Sequence, residues 1–259
     1  MNKYPDRNDV MTVDFIDSVS DGNYWDRSER NVLGKCIEML QKKSAGAFLD
    51  LGCGQGRLMP FFAPYVSEIT AAEPDRSRYR YASELADVLS EELPEKRIKV
   101  VNGDIHTVCE GGDTPAFDAI LCSHVIQHIK FDICRDMLAS AVSCLKRGGL
   151  LFLTTTLSPV DTDTYSVEDL NIDGSKLSQP TDRAGFEAAY GREDKLPVAY
   201  YTTDTVCNLL ESLGCACTAK YGYHFIFPGR IADLEDDMSF QQKGSLEKAK
   251  DILYIFEKE

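Results

Sequence analysis

Phe48-Leu49-Asp50-Leu51-Gly52-Cys53-Gly54-Gln55-Gly56, an apolar run followed by glycine at every second position, decides the fold of this 259-residue chain. The run that ends at Leu51 is short and apolar, which is typical of a strand buried in a parallel sheet. Glycines directly after a strand let the backbone turn sharply and approach a ligand closely. A dinucleotide fingerprint would need its third glycine at position 57, which is Arg57. The acid before the first glycine, Asp50, suits a cationic ligand group better than a phosphate.

Four more apolar runs follow this stretch and alternate with helical patterns. Strands are predicted over residues 67–73, 98–101, 117–121 and 150–153, and helices over residues 76–92 and 133–145. This alternation predicts an α/β fold in which a mostly parallel sheet carries helices on both faces. Ligands of such sheets bind beyond the carboxyl ends of the strands. A helix over residues 203–213 and closing strands over residues 217–227 and 251–256 complete the prediction.

Polar residues stand at the predicted carboxyl ends of the strands. Glu73, with Pro74, ends the second strand, where a carboxylate can accept both hydroxyls of a ribose. Asp104, followed by Ile105, comes after the third strand and is placed to meet an adenine edge. The fourth strand ends at Ser123 and His124, and residues 146–149 lead into the fifth. Each of these residues alone is as well explained by a turn or a helix cap, but their order on successive strands is informative.

This constellation resembles the class I S-adenosylmethionine-dependent methyltransferases over residues 45–156. The resemblance implies a Rossmann-like seven-stranded sheet with an antiparallel closing pair, S-adenosyl-L-methionine as cofactor and S-adenosyl-L-homocysteine as product. By the same likeness the glycine turn lines the methionine part, Asp50 binds its ammonium, Glu73 holds the ribose, and Asp104 and Ile105 flank the adenine. The full set of expected cofactor-binding residues is Tyr24, Trp25, Asp50, Gly52, Gly54, Gln55, Gly56, Glu73, Pro74, Asp104, Ile105 and Ser123.

We expect one methyltransferase domain with four parts. Residues 1–45 would form an N-terminal lid with a helix near residues 29–41, and residues 46–156 the cofactor-binding core. Residues 157–199 are a polar insertion after the fifth strand that we expect to cover the acceptor. Residues 200–259 would supply the C-terminal helix and closing strands.

Histidines are the candidates for work on the acceptor. His124 lies at the end of the fourth strand, near the expected methyl position, and is the predicted catalytic residue, as a base or as a group that orients the acceptor. His128 is expected to be structural, and His224 is a weaker candidate. Tyr24 and Trp25 either close over the cofactor or form a hydrophobic staple. Tyrosines of the insertion and its end either line an acceptor pocket or pack, namely Tyr165, Tyr190, Tyr200 and Tyr201.

Composition limits the partners to consider. With 43% hydrophobic and 27% charged residues, the chain can bury a full core. A formal net charge of −14 leaves no basic footprint for phosphate backbones, so no nucleic acid is expected. No signal peptide and no apolar run of about 20 residues is present, so we expect no membrane association and a cytoplasmic location. Nine cysteines without a Cys-x-x-Cys pair indicate reduced thiols and no metal site.

The expected function is transfer of a methyl group to an oxygen or nitrogen atom of a small-molecule acceptor by in-line displacement. One alternative is a protein or peptide methyltransferase of the N-terminal amine type, since Tyr24-Trp25 with residues 125–128 resembles such enzymes and an acidic surface suits a basic peptide. A second is a non-catalytic S-adenosylmethionine-binding subunit. A third is an aminopropyl transferase, whose paired-Asp motif is not found here. The oligomeric state and the acceptor stay open.

Overall fold

The computed structural model describes residues 24–109, 116–170, 176–192, 194–227, 230–231, 241 and 245–259. The strands are β1 (Ala47–Leu51), β2 (Glu68–Ala72), β3 (Arg97–Val101), β4 (Phe117–Ser123), β5 (Leu145–Thr156), β6 (Thr164–Leu170), β7 (Lys176–Thr181), β8 (Lys195–Tyr200), β9 (Cys215–Phe227), β10 (Arg230–Ile231) and β11 (Ala249–Lys258). The helices are α1 (Tyr24–Lys43), α2 (Met59–Phe62), α3 (Arg76–Glu92), α4 (Ile105–Cys109), α5 (Phe131–Cys144), α6 (Arg183–Ala189) and α7 (Thr203–Ser212).

The main sheet has the strand order β10-β9-β11-β5-β4-β1-β2-β3. Strands β1 to β5 pair in parallel with one another, and β11 lies antiparallel between β5 and β9. The predicted Rossmann-like α/β fold with an antiparallel closing pair is confirmed. The described sheet contains the seven expected long strands and also the two-residue β10, which pairs with the end of β9.

Apolar side chains fill both faces of this sheet. One core packs α1, α2 and α3 on the sheet through residues such as Leu33, Phe62 and Leu89. The other packs α5 and α7 on the opposite face through residues such as Leu138 and Leu210. Helices therefore cover both faces, as the alternation of strands and helices predicts. None of the helices in the described part of the chain is long and apolar enough to cross a membrane.

The insertion after β5 forms a second sheet that the sequence did not predict. Its strands are antiparallel in the order β7-β6-β8, and α6 packs against them through the buried Phe186. The polar residues of β6 and β7 carry no clear apolar alternation, so no strand pattern was visible there. His128, in a 3₁₀ turn after β4, donates from Nδ1 to the carbonyl of Pro197 at 2.9 Å and so joins this sheet to the core.

Two other details differ from the sequence prediction. Strand β5 runs from Leu145 to Thr156 because its start pairs with β4 and its end pairs with β11.

Cys109 and Cys144 form a disulfide between the ends of α4 and α5, so the expectation of nine reduced thiols is wrong for this pair. Their separation of 35 residues gives no sign in the sequence that the two helix ends meet.

The carboxylate of Asp118 in β4 holds the start of β1. It accepts hydrogen bonds from the backbone N–H groups of Gly46 at 3.0 Å and Ala47 at 2.8 Å, and it also pairs with Lys146 at 2.7 Å. These two hydrogen bonds join β1 to β4 just before the regular pairing of the two strands begins at Phe48. The ion pair is substantially exposed, with the Lys146 side chain 46% accessible.

We predict that Asp118→Ala lowers the free energy of unfolding by about 1–3 kcal/mol, because two backbone donors lose their acceptor. The matched variant Lys146→Ala removes only the exposed ion pair and should cost less than about 1 kcal/mol. Urea unfolding of both variants checks this. Equal losses would mean that the ion pair, and not the capture of backbone N–H groups, is what stabilises this corner.

Candidate active site

The glycine turn after β1 is tied to the end of β2. The backbone N–H groups of Gly52 and Cys53 both donate to the carbonyl of Ala72, at 2.9 and 3.0 Å. Gly52, Gly54 and Gly56 have φ angles of 75°, 60° and 85°, a left-handed conformation that favours glycine. A Cβ atom at Gly52 would lie 2.5 Å from the Val125 side chain, whereas one at Gly54 would meet nothing within 4 Å. The backbone at Gly54 therefore borders open space.

Glu73 is the buried acid that closes this turn. Its Oε2 accepts the N–H of Gly54 and its Oε1 that of Asp75, both at 2.9 Å. Its carbonyl oxygen accepts from the side chain of Asn102 at 3.0 Å and from the N–H of Gly103 at 3.1 Å, which joins β2 to the end of β3. Burial raises the pKa of Glu73. Because each carboxylate oxygen takes one N–H, each keeps a lone pair for a ligand hydroxyl.

Asp50 lies buried at the end of β1 and forms no ion pair with a cation of the described residues. Burial raises the pKa of Asp50 to about 7, although the nearby Arg57 lowers it. The guanidinium of Arg57 is 2.7 Å from the carboxylate of Glu29, on α1. Arg57 lowers the pKa of Glu29 despite the opposing effect of burial, so that pair is the ionised one. Asp50 thus suits a ligand that brings its own positive charge.

The remaining predicted cofactor residues are spread around the same edge of the sheet. The amide Nε2 of Gln55 is buried and has no hydrogen-bond partner among the described residues. Asp104 caps α4, since its Oδ1 accepts the N–H groups of His106 and Thr107 at 3.0 and 3.2 Å. Ile105 is fully buried in the core and Pro74 is exposed. Tyr24 and Trp25 begin α1, but their side chains lie outside the described residues.

His124 follows β4 and both of its ring nitrogens are engaged. Gln127 lies 2.9 Å from Nδ1 through its amide nitrogen, and the Tyr223 hydroxyl lies 2.7 Å from Nε2. Thr155 donates to the amide oxygen of Gln127 at 3.2 Å and so sets the orientation of that amide. His124 therefore accepts at Nδ1 and donates from Nε2. Burial lowers the pKa of His124, which keeps the ring neutral.

A second histidine lies next to Tyr223. The ring centroids of Tyr223 and His224 are 4.6 Å apart, and Nδ1 of His224 is 2.7 Å from Oδ2 of Asp251. The backbone N–H of His224 donates to the hydroxyl of Ser28 in α1 at 3.3 Å. We call His124, Tyr223, His224 and Asp251 the histidine cluster.

A family model described as a methyltransferase domain matches residues 24–220 of the chain. The chain belongs to this family. The predicted class I S-adenosylmethionine-dependent methyltransferase, with S-adenosylmethionine as its cofactor, is therefore confirmed.

Individual proteins that resemble this chain are also methyltransferases. A sphingolipid C9-methyltransferase of Komagataella phaffii is 26% identical over 149 residues, which are 56% of this chain and 30% of that protein. The chain thus spans less than a third of the length of this curated relative. Among solved structures, a Burkholderia thailandensis 1,6-didemethyltoxoflavin-N1-methyltransferase with bound S-adenosylhomocysteine has a TM-score of 0.55 at 16% identity, covering 95% of this chain and 86% of that one. An S-adenosylmethionine-dependent methyltransferase from Clostridium acetobutylicum has a TM-score of 0.60 at 12% identity, covering 95% and 97%.

The donor groups of this methyltransferase fit S-adenosylmethionine. Asp50 is a buried acid suited to an ammonium, Gln55 carries a buried amide nitrogen suited to a carboxylate, and Glu73 can accept from two hydroxyls. Gly54 leaves open space beside its backbone for the ligand to approach. Within the described residues no cluster of three or more His, Cys, Asp or Glu side chains is arranged to hold a metal ion.

Sequence reasoning missed several residues of the site. Glu29, Tyr223 and Asp251 have no motif around them and come from different parts of the chain, whereas Arg57 directly follows the glycine turn. Arg57 was considered only as the residue that breaks the dinucleotide pattern. A weak signal existed in the polar Asp251 at the start of an apolar strand, since a buried acid needs a partner.

We predict that Gly52→Ala and Gly54→Ala have different effects although both place a Cβ on left-handed backbone. Gly52→Ala adds a clash with Val125 and should lower the free energy of unfolding by about 2–4 kcal/mol, strain and overpacking together. Gly54→Ala should cost about 1–2 kcal/mol but weaken binding of S-adenosylhomocysteine, because the methyl group enters the space next to the ligand. Chemical unfolding and calorimetric titration of both variants measure this. Equal cofactor affinity in Gly54→Ala and wild type would contradict the placement of the ligand.

Binding of S-adenosylhomocysteine should strengthen with pH through the titration of Asp50. The acid must lose its proton to pair with the ligand ammonium, so with a pKa of about 7 in the ligand-free protein the affinity rises between pH 6 and pH 8. The expected gain is roughly tenfold, as for one carboxylate titrating across that range. Asp50→Asn should bind more weakly and lose this pH dependence. Calorimetry at several pH values decides it, and an unchanged slope in Asp50→Asn would remove Asp50 from the ammonium site.

Proposed function

We propose that this protein transfers the methyl group of S-adenosylmethionine to an oxygen or nitrogen atom of a small-molecule acceptor by in-line displacement. The observation that carries the proposal is the histidine cluster, a set of buried polar groups next to the strand ends that hold the cofactor residues. The cofactor supplies an already activated methyl group, so the protein mainly has to align a nucleophile and keep water out.

His124 supports this proposal as the group that orients the acceptor. Its ring is held on both sides by Gln127 and Tyr223, and its left-handed backbone, φ 52°, directs it from the end of β4. Because Nδ1 accepts from Gln127 and Nε2 donates to Tyr223, neither ring nitrogen is open to take a proton from the acceptor. His124 instead acts by fixing the position of the Tyr223 hydroxyl. Of the two roles expected for His124, orientation is therefore the one we propose.

Enclosure of the cluster favours a small molecule over a peptide. Glu29 is 4% exposed and Ser28 is fully buried, so in the described part of the chain α1 covers the space above the cluster. A peptide would need an open groove there. Small-molecule acceptors are also what the names of two similar proteins state, a sphingolipid for one and 1,6-didemethyltoxoflavin for the other. The cytoplasmic location expected from composition stays a prediction.

Calorimetric titration with S-adenosylmethionine and, separately, with NAD is the first test of the proposed function. Binding of the first alone at micromolar concentration is expected. A panel of small phenols and amines, followed by a set of basic peptides, is then screened for production of S-adenosylhomocysteine. Turnover with peptides alone would replace the small-molecule acceptor by the peptide alternative, and binding without any turnover would favour a non-catalytic subunit.

His124→Ala should leave S-adenosylmethionine affinity within about twofold of wild type and lower kcat for the acceptor by about 10- to 100-fold, the loss typical of a misplaced reactant. The change removes the ring that holds the Tyr223 hydroxyl but none of the groups around the glycine turn. Steady-state kinetics with the phenol or amine found in the screen checks this, and full activity of His124→Ala would contradict its role.

A further inference from the structure

The disulfide between Cys109 and Cys144 is set apart from the other cysteines of the chain. All nine cysteines lie in the described residues, and the other seven are free thiols. A domain that is stapled by disulfides pairs most of its cysteines, whereas in proteins with mostly free thiols a disulfide is usually transient and redox-sensing. The state of the cysteines therefore indicates an exchangeable bond rather than a permanent one.

The free thiols are poor partners for thiol exchange. Burial raises the pKa of Cys134 to about 12 and raises the pKa of Cys36 and Cys122 well above the usual range. Burial also raises the pKa of Cys53, in the glycine turn, and raises that of Cys217 to about 11. A thiol reacts as its thiolate, so these five groups stay protonated near neutral pH. They therefore do not compete with the disulfide for an added thiol.

The disulfide lies close to the protein surface. Cys109 is half-buried and Cys144 is 8% exposed. Ser143 is exposed, and its hydroxyl lies 3.9 Å from the sulfur of Cys144, so this sulfur lies just under the surface. An attacking thiolate therefore reaches the sulfur of Cys109 more easily, and the sulfur of Cys144 is the one that leaves.

Cys144 is a fixed point of the fold. It ends α5 and is directly followed by β5. Its carbonyl oxygen accepts the N–H of Ala116 at 2.9 Å, just before β4. The carbonyl oxygen of the next residue, Leu145, accepts from the side chain of Lys258 in β11 at 2.8 Å. These contacts do not involve the disulfide, so this end of the bond stays in place when the bond is reduced.

Helix α4 is the less firmly held partner of this bond. It has five residues, too few to be stable without tertiary contacts. Ile105 at its start is fully buried, and Val108 packs partly buried on the same core. The disulfide joins its last residue, Cys109, to the fixed end of α5. Reduction therefore removes the covalent hold on α4 and leaves side-chain packing and the hydrogen bonds at its start.

The position of α4 decides the direction of Asp104. Its Oδ1 accepts the N–H groups of His106 and Thr107, at 3.0 and 3.2 Å, and the Thr107 hydroxyl at 3.4 Å. Asp104 is exposed, and its other oxygen, Oδ2, has no hydrogen-bond partner in the described part of the chain. That oxygen is the one left for a ligand donor such as an exocyclic amine. A displacement of α4 takes away the donors that orient this carboxylate.

We propose that Cys109 and Cys144 form a thiol–disulfide exchange site that controls cofactor binding through α4. The oxidised pair holds α4 where Asp104 and Ile105 flank the adenine of the cofactor, and the reduced pair lets α4 move and weakens binding. The adenine position expected for Asp104 and Ile105 is part of this inference. The inference goes beyond the proposed function, because it concerns the cofactor and needs no acceptor.

The reductant for this site is a dithiol, either a small molecule or a protein of that class. One thiolate of the dithiol attacks the sulfur of Cys109, the sulfur–sulfur bond breaks, and its electron pair leaves with Cys144, which takes a proton. The second sulfur of the dithiol then displaces Cys109, which takes the second proton. The dithiol loses two electrons and two protons and becomes a disulfide, while the protein gains two thiols. An oxidised dithiol reverses both steps.

Calorimetric titration with S-adenosylhomocysteine, before and after treatment of the native protein with dithiothreitol, tests the proposal. Alkylation followed by mass spectrometry reports which cysteines are paired in each sample. We expect dithiothreitol to free Cys109 and Cys144 and to weaken binding about tenfold, as when α4 occupies its binding position about a tenth of the time. Resistance of the bond to dithiothreitol in the folded protein, or equal affinity in both states, would overturn the proposal.

Cys109→Ser tests whether the response belongs to this pair. The variant should bind S-adenosylhomocysteine as weakly as the reduced wild type and should not respond to dithiothreitol. Cys217→Ser is the matched control, since it removes another half-buried cysteine, one that contacts Cys207 and lies outside α4 and α5. It should keep the wild-type response. A response that persists in Cys109→Ser would place the redox effect at another cysteine and contradict the assignment.

Hydrogen exchange of the ligand-free protein separates movement of α4 from a general loss of stability. Reduction should speed exchange of the amide groups of residues 106–109 and leave that of residues 52–56 unchanged. Equal acceleration in both segments would mean that the bond only stabilises the whole fold, and would sink the proposal. These measurements use no acceptor, so a failure to methylate any phenol or amine would contradict the proposed function alone.

Discussion

Three successive backbone N–H groups after β1 all donate to Ala72, the last residue of β2, or to Glu73, which follows it. Those of Gly52 and Cys53 end on the carbonyl of Ala72, and that of Gly54 ends on the carboxylate of Glu73. A chain that turns back within three residues can satisfy these donors only if glycine supplies the left-handed angles. The carbonyl oxygen of the same Glu73 accepts a hydrogen bond from the side chain of Asn102. This bond links the end of β2 to the end of β3.

The positions of the residues that we expect to hold the cofactor could be predicted because these residues are close to one another in sequence. Asp50, the glycines and Glu73 lie at the ends of buried strands that are recognisable in the sequence as apolar runs. Parallel strands bring their carboxyl ends to one edge of the sheet. The acceptor half could not. Ser28 and His224 are 196 residues apart, and the contact of His224 with Asp251 depends on β11 entering the sheet next to β9. No periodic pattern carries that information. The second sheet was missed for a different reason, since β6 and β7 carry no clear apolar alternation.

This division explains how one fold can serve many acceptors. Apart from Tyr24, Trp25 and Ser123, the groups expected to hold the cofactor lie between residues 50 and 105. In the described part of the chain the strands before these groups pair with each other and with β4. The histidine cluster is built from the residue after β4 and the closing strands β9 and β11, and Ser28 of α1 contacts it. Changes in the second set leave the turn after β1 and its hydrogen bonds in place. On the proposed function, one set of contacts would therefore hold the fold and the cofactor, and another would serve the acceptor chemistry.

The position of β11 has a consequence for synthesis on the ribosome. Its residues 249–258 lie between β5 and β9, both of which leave the ribosome earlier. Until β11 arrives, β5 is an open edge with unpaired backbone groups, while β1 to β5 can already pair with each other. A nascent chain that stalls before residue 249 therefore contains β1 to β5, with an unpaired edge on β5, but lacks Asp251 of the histidine cluster. Before β11 is made, the nascent chain therefore has an exposed sheet edge that favours aggregation, and pairing of β11 with β5 removes that edge.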